Sequence, residues 1–155
     1  MHRSLLLSLL FLGACRPQPE KATEKPPVVI TNDTIPEMRD NVNLAPVASY
    51  SERVKDELND WKFSVDAYET RRTFHFQLRM QYKELRVTDS VNIPNFGIRP
   101  TIEIHKGKDP LTCIVGFLDK KGLFKEYRKV SVKNEQLKIN SLASYYVGSY
   151  RTTVK

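Results

Sequence analysis

From Trp61 to Ile139 the chain repeats apolar and polar residues with a period of two. Trp61, Phe63, Val65 and Ala67 alternate with Lys62, Ser64 and Asp66, and Phe74, Phe76, Leu78, Met80 and Tyr82 alternate with His75, Gln77, Arg79 and Gln81. Successive side chains of a strand point to opposite faces, so each run has one face to bury and one to wet. A helix needs its apolar stripe at a spacing of 3.6, so these runs are unsuited to helices. Leu85 with Val87, Val91 with Ile93, Ile102 with Ile104, Val130 with Val132 and Leu137 with Ile139 continue the pattern. Leu111 to Leu118 is apolar on both faces and reads as a central strand, and Tyr145-Tyr146-Val147 reads as the last one.

Polar turns separate these runs: Lys106-Gly107-Lys108-Asp109, Asp119-Lys120-Lys121-Gly122 and Lys133-Asn134-Glu135-Gln136. Such punctuation between alternating runs is what hairpins require. The pattern predicts an all-β domain over residues 49–155, a single β-sandwich of Ig-like or Greek-key connectivity with about seven to eight strands. Asn95-Phe96-Gly97-Ile98-Arg99-Pro100 reads as the longer connection between layers. One short N-terminal helix is expected over Ser49–Asn59. There Ser49-Tyr50-Ser51-Glu52 fits a capping box, and Tyr50, Val54, Leu58 and Trp61 would share a face.

The segment before the domain is different in kind. Residues 15–48 carry six of the nine prolines mixed with Glu, Lys, Thr and Asn, and few apolar residues apart from Val28-Val29-Ile30. That composition buries too little surface to offset ordering entropy and is expected to act as a flexible tether. Ahead of it, His2 and Arg3 precede the apolar run Leu5–Leu12, which leads through Gly13 and Ala14 into Cys15. A basic start, a short apolar stretch and small residues form a secretory signal, and an eight-residue stretch reaching only about 12 Å as a helix is too short to span a bilayer. Leu12-Gly13-Ala14-Cys15 resembles the lipobox of bacterial lipoproteins. The resemblance covers residues 1–15 and implies removal of residues 1–14, a thioether-linked diacylglycerol on Cys15, and acylation of its new amino group. Arg16 follows Cys15 where enterobacterial lipoproteins retained at the inner membrane have Asp. The resemblance therefore implies a lipid-anchored protein of the cell envelope, at the outer membrane facing the periplasm, with its acyl chains in the membrane.

Loss of the signal removes Arg3 from the 25 basic residues, leaving 24 against 18 acidic ones, a net charge of +6. That balance favours anionic partners, and outside the cytoplasm nucleic acid is not among them. With Cys15 lipidated, Cys113 has no internal partner, so the fold rests on an ordinary core. Cys113 falls in phase with Leu111, Val115 and Phe117, which places it inside. His75 and His105 have no ligand spacing, and no metal motif or cofactor is indicated. No Gly-x-Ser-x-Gly elbow occurs, and Glu69, Asp89, Glu103 and Asp119 are dispersed near strand ends and turns.

Two features point to binding. Between His105 and Lys133 stand eight basic residues against three acids, with Lys106 and Lys108 on one turn and Lys120 and Lys121 on another. These lysines are candidates for an anionic ligand, although consecutive hairpin turns face opposite ends of a meander. Tyr145, Tyr146, Tyr150, Tyr127 and Arg128 are candidates for a protein interface, since tyrosine and arginine bury area while keeping a polar handle. The expected function is a non-catalytic binding or scaffolding module that docks on another envelope protein or assembly. The alternatives are binding of an anionic envelope ligand or inhibition of a hydrolase, and then a carboxylate-dependent hydrolase. The anchor is tested by Cys15→Ala: the mutant should accumulate as uncleaved precursor or leave the membrane fraction and fail to incorporate labelled palmitate. A cleaved mutant that still holds tightly to membranes would contradict lipidation.

Overall fold

The structure, a computed structural model, describes residues 35–56 and 58–147. The lipobox, the first part of the expected tether and Tyr150 lie outside these residues. Eight antiparallel strands follow one another: β1 (Ala48–Arg53), β2 (Lys62–Glu69), β3 (His75–Tyr82), β4 (Leu85–Asn92), β5 (Ile102–Lys106), β6 (Thr112–Leu118), β7 (Phe124–Lys133) and β8 (Gln136–Ser141). They form two four-stranded sheets, β1-β2-β3-β4 and β5-β6-β7-β8, which pack face to face as a β-sandwich.

The alternation read from the sequence is the alternation that buries the core. Phe63, Val65 and Ala67 of β2 and Phe76, Leu78, Met80 and Tyr82 of β3 line the inner face of the first sheet. Cys113, Val115 and Phe117 of β6 and Val130 of β7 meet them from the second. The intervening polar residues stand on the outer faces. Connectivity is simpler than the Ig-like or Greek-key order expected. Every strand pairs with its sequence neighbour, so each sheet is a plain meander, and the single crossing between sheets is the 93–101 connection.

The expected helix over Ser49–Asn59 is not there; Ala48–Arg53 is the edge strand β1, paired with β2 from Ala48↔Ala67 to Arg53↔Lys62. The same residues also alternate with a period of two, and tertiary pairing decides between the periods. Tyr50 points inward against Phe63, and Glu52, read as a capping-box acid, accepts from the Tyr50 hydroxyl at 2.9 Å and the Leu111 amide at 3.1 Å. Leu58, assigned to the helix face, is 93% exposed. Tyr145–Val147 is not a strand either: pairing ends at Ser141, and residues 142–147 run on without strand structure. Residues 35–47, the last part of the expected tether, are bonded to the body. Met38 bridges Arg72, and the Arg39 guanidinium pairs with Glu69 at 3.2 Å while donating to the Thr70 and Arg72 carbonyls at 2.8 Å.

The two ends of the sandwich differ. One carries the β3–β4, β5–β6 and β7–β8 turns and is closed by bonds between sheets. The β7–β8 turn puts Asn134 and Glu135 both at positive φ, 50° and 60°, the geometry of a two-residue hairpin. It thereby carries the Glu135 carboxylate to the Tyr82 hydroxyl (3.0 Å) and Lys83 ammonium (2.5 Å) of the other sheet. Glu52 and Leu111 make a second tie at this end. The other end holds the β2–β3 and β6–β7 turns, the 93–101 connection and both ends of the described chain. Because Phe63 has no solvent exposure, Phe63→Ala removes a ring from a core with no water to replace it and should cost about 3–5 kcal/mol. Urea denaturation checks this, and a loss below about 1 kcal/mol would contradict the packing described.

Candidate functional site

The site is built where the core reaches the open end. Phe117, at the end of β6, is 1% exposed, and three rings rest on it: Phe96 stacked at 5.6 Å, Tyr145 edge-on at 5.1 Å and Tyr127 edge-on at 5.9 Å. Phe96 comes from the connection between sheets, where the Asn95 side chain accepts the Gly97 amide at 2.8 Å and Gly97 takes a φ of 73°. That turn is open to glycine and strained for other residues. Tyr145 is fixed by its hydroxyl, which donates to the Glu126 carbonyl at 2.8 Å.

The β6–β7 turn forms the rim. Asp119 organises it by accepting the Lys121 amide at 2.8 Å and the Leu123 amide at 2.9 Å, while its second oxygen pairs with Lys125 at 3.1 Å. Those bonds, the Leu123 amide foremost, hold the Asp119 carboxyl below the ordinary carboxylate range. Gly122 closes the turn at a φ of 73°. Lys120 and Lys121 are thus mounted on a well-bonded turn, and neither carries an ion pair among the described residues. Between rim and rings lies a hollow of about 390 Å³, lined by Phe96, Phe117, Leu123 and Tyr145 with Lys120, Lys121 and Lys125.

The structure thus joins two features that the sequence could only list separately. Tyr145 and the Lys120-Lys121 turn line one hollow, whereas Lys106 and Lys108 belong to the β5–β6 turn at the closed end. Tyr145 covers the core, and it is Tyr146, 85% exposed, with Val147 at 55%, that faces solvent. Arg128 lies over the Tyr127 ring at 5.0 Å and bonds the Ser141 hydroxyl, bracing β7 against β8. Phe96, Leu123 and Lys125 were not singled out in the sequence; an aromatic residue inside a Gly- and Pro-containing connection was the available signal for Phe96.

Two further hollows open at the same end, both beside the 93–101 connection. One of about 310 Å³ includes Arg39, Arg99 and Pro100, and one of about 640 Å³ includes Phe74, Asn95 and Val147. Leu123 and Leu142 are exposed here as well.

The remaining chemistry-bearing groups have local roles. His75 meets the Thr70 hydroxyl at 3.1 Å, and His105 stacks on Phe124 at 3.8 Å beside Glu103. That Phe124 ring lies over Gly116, where a Cβ would come within 2.5 Å of it, so the glycine is required by the ring. Glu69, Asp89, Glu103 and Asp119 each bond a different neighbour. No group of three or more His, Cys, Asp or Glu side chains suited to a metal occurs among the described residues, and no helix there is long and apolar enough to cross a membrane. Compared with known proteins, the chain matches no family model, no curated protein and no solved structure.

Burial pushes the Cys113 thiol up to about 12, so very little thiolate exists at neutral pH. A disulfide reagent at pH 8 should therefore leave Cys113 unmodified in the folded protein and react at once in denaturant. Fast stoichiometric labelling of the native chain would contradict the buried position.

Proposed function

We propose that this protein is a lipid-anchored, non-catalytic binding module of the cell envelope that docks on another envelope protein through the open end of its sandwich. The supporting observation is the concentration of binding chemistry at that end. Exposed Leu123 lines a hollow with an aromatic floor and a lysine rim, exposed Val147 lines a second hollow, and Tyr146 and Leu142 are exposed on the same segment after β8, while the opposite end is closed by its own hydrogen bonds. Exposed apolar side chains close to tyrosine and cationic groups have the composition of a docking surface, with a partner that offers an acidic, partly apolar face. The lipobox resemblance supplies the anchor and the envelope address. Ile35, the first described residue, lines a hollow with Arg99 and Pro100, at the same end as the proposed docking surface.

A second reading, binding of a small anionic envelope ligand, is favoured by one observation, the hollow itself. Its volume lies within the ~300–1,000 Å³ of small-molecule sites.

Cross-linking of the acylated protein in its own membranes, followed by mass spectrometry, tests the docking reading. The wild type should yield one stoichiometric envelope protein, and Tyr146→Asp with Val147→Ser should reduce its yield about tenfold or more, the effect of losing one interface anchor. An unchanged yield from that variant, or a yield lost equally in a Leu85→Asp control at the closed end, would contradict docking through the open end.

A further inference from the structure

We infer that the hollow between the 93–101 connection and the β6–β7 turn is a binding site for a single-chain anionic amphiphile, an alkyl group ending in a phosphate or carboxylate. This goes beyond the docking reading and requires no protein partner.

Charge and apolar surface are divided within this one cavity. Its floor is built of rings, Phe96, Phe117 and Tyr145, and Leu123 adds a branched aliphatic chain from the rim turn. Polar groups along them are already engaged. The Tyr145 hydroxyl donates to the Glu126 carbonyl, and the Asp119 carboxylate is taken up by two backbone amides and Lys125. An uncharged polar ligand therefore finds few free partners there. An apolar body is accommodated by removal of the rings and Leu123 from water, at about 25 cal/mol for each Å² covered.

Two cations at the mouth are different. Lys120 and Lys121 are free of ion pairs among the described residues, and the Asp119 carboxylate, spent on Lys125 and the turn amides, does not neutralise them. The Lys120 ammonium lies beside Gly97, where a Cβ would meet it in ordinary contact at 3.7 Å, so the Lys120 side chain passes close over the connection beside Phe96. Head and body of the ligand are thereby assigned to opposite sides of one hollow. A short acidic side chain of a protein would reach the two lysines yet leave the aromatic floor wet. A neutral hydrocarbon would cover the floor and leave both charges unmatched. An alkyl phosphate or fatty carboxylate satisfies both, and the volume of about 390 Å³ holds one chain. The other lysine turn, Lys106 and Lys108, has no such floor and serves as the internal control.

The test uses the mature chain with Cys15→Ser, which carries no acyl groups of its own, titrated calorimetrically with decyl phosphate below its micelle concentration. Saturable one-to-one binding is expected. Lys120→Ala with Lys121→Ala should weaken it about tenfold or more, on the scale of about one kcal/mol per lysine facing an anionic head. Lys106→Ala with Lys108→Ala should leave it within about twofold, and neutral decyl maltoside should bind far more weakly. Absence of saturation, equal weakening by the two lysine pairs, or equal binding of the maltoside would each overturn the assignment. Unchanged decyl phosphate binding by the Tyr146→Asp, Val147→Ser variant separates this site from the docking surface at those residues.

Discussion

The ring of Phe117 is buried at the end of β6 with Phe96, Tyr127 and Tyr145 packed on it, and the open end of the molecule depends on that stack. Each ring arrives from a different part of the chain: the connection between sheets, the start of β7 and the segment after β8. Aromatic pairs at these separations contribute about 0.5–1.5 kcal/mol beyond their buried area. One core side chain therefore holds the connection through Phe96 and provides the floor of the candidate site. The candidate site is an extension of the core to the surface, and the core packing of Phe117 sets its shape.

The two ends of the sandwich solve the same physical problem in different ways. Two stacked meanders leave their inner faces open at both ends, and water must be kept from the core at each. At one end the closure is polar, with Glu135 clasped by Tyr82 and Lys83 and Glu52 by Tyr50 and the Leu111 amide. The Lys83 and Tyr82 bonds hold the Glu135 carboxyl below its ordinary value. Its contribution to stability is accordingly present above the unfolded value of 4.5 and is lost as pH falls through the lower folded one. At the other end the closure is aromatic and incomplete, and the hollows lie there. Polar closure and the aromatic candidate site thus lie at opposite ends of one small domain.

Much of the fold was legible because strand faces leave a simple mark. The inner-face residues alternate along β2 from Phe63 to Ala67 and along β3 from Phe76 to Tyr82, and the three polar turns fall where the hairpins are. Ser49–Asn59 was misread because Tyr50, Val54, Leu58 and Trp61 have helical spacing while Ala48, Tyr50 and Glu52 have strand spacing, and only pairing with β2 separates the two. The plain meander could not be told from a Greek key, since strand order is a long-range property that local periodicity does not carry. For the site, the sequence showed lysine turns and a tyrosine tail as separate elements. Their grouping is topological: consecutive turns of a meander alternate ends, so Lys120-Lys121 meets Tyr145 and Lys106-Lys108 does not. Leu123 carried no local signal of its own, and Phe96 only that of an aromatic residue within a Gly- and Pro-containing connection.

Site-resolved photo-cross-linking distinguishes docking through the open end of the sandwich, as proposed, from docking elsewhere. A photoreactive residue is placed in the acylated protein at Leu123 or Tyr146, at the open end, or at Leu85, at the closed end, and activated in intact cells. Discrete adducts from Leu123 and Tyr146, with none from Leu85, are the predicted result. Adducts from Leu85 alone, or equal adducts from both ends, would contradict it.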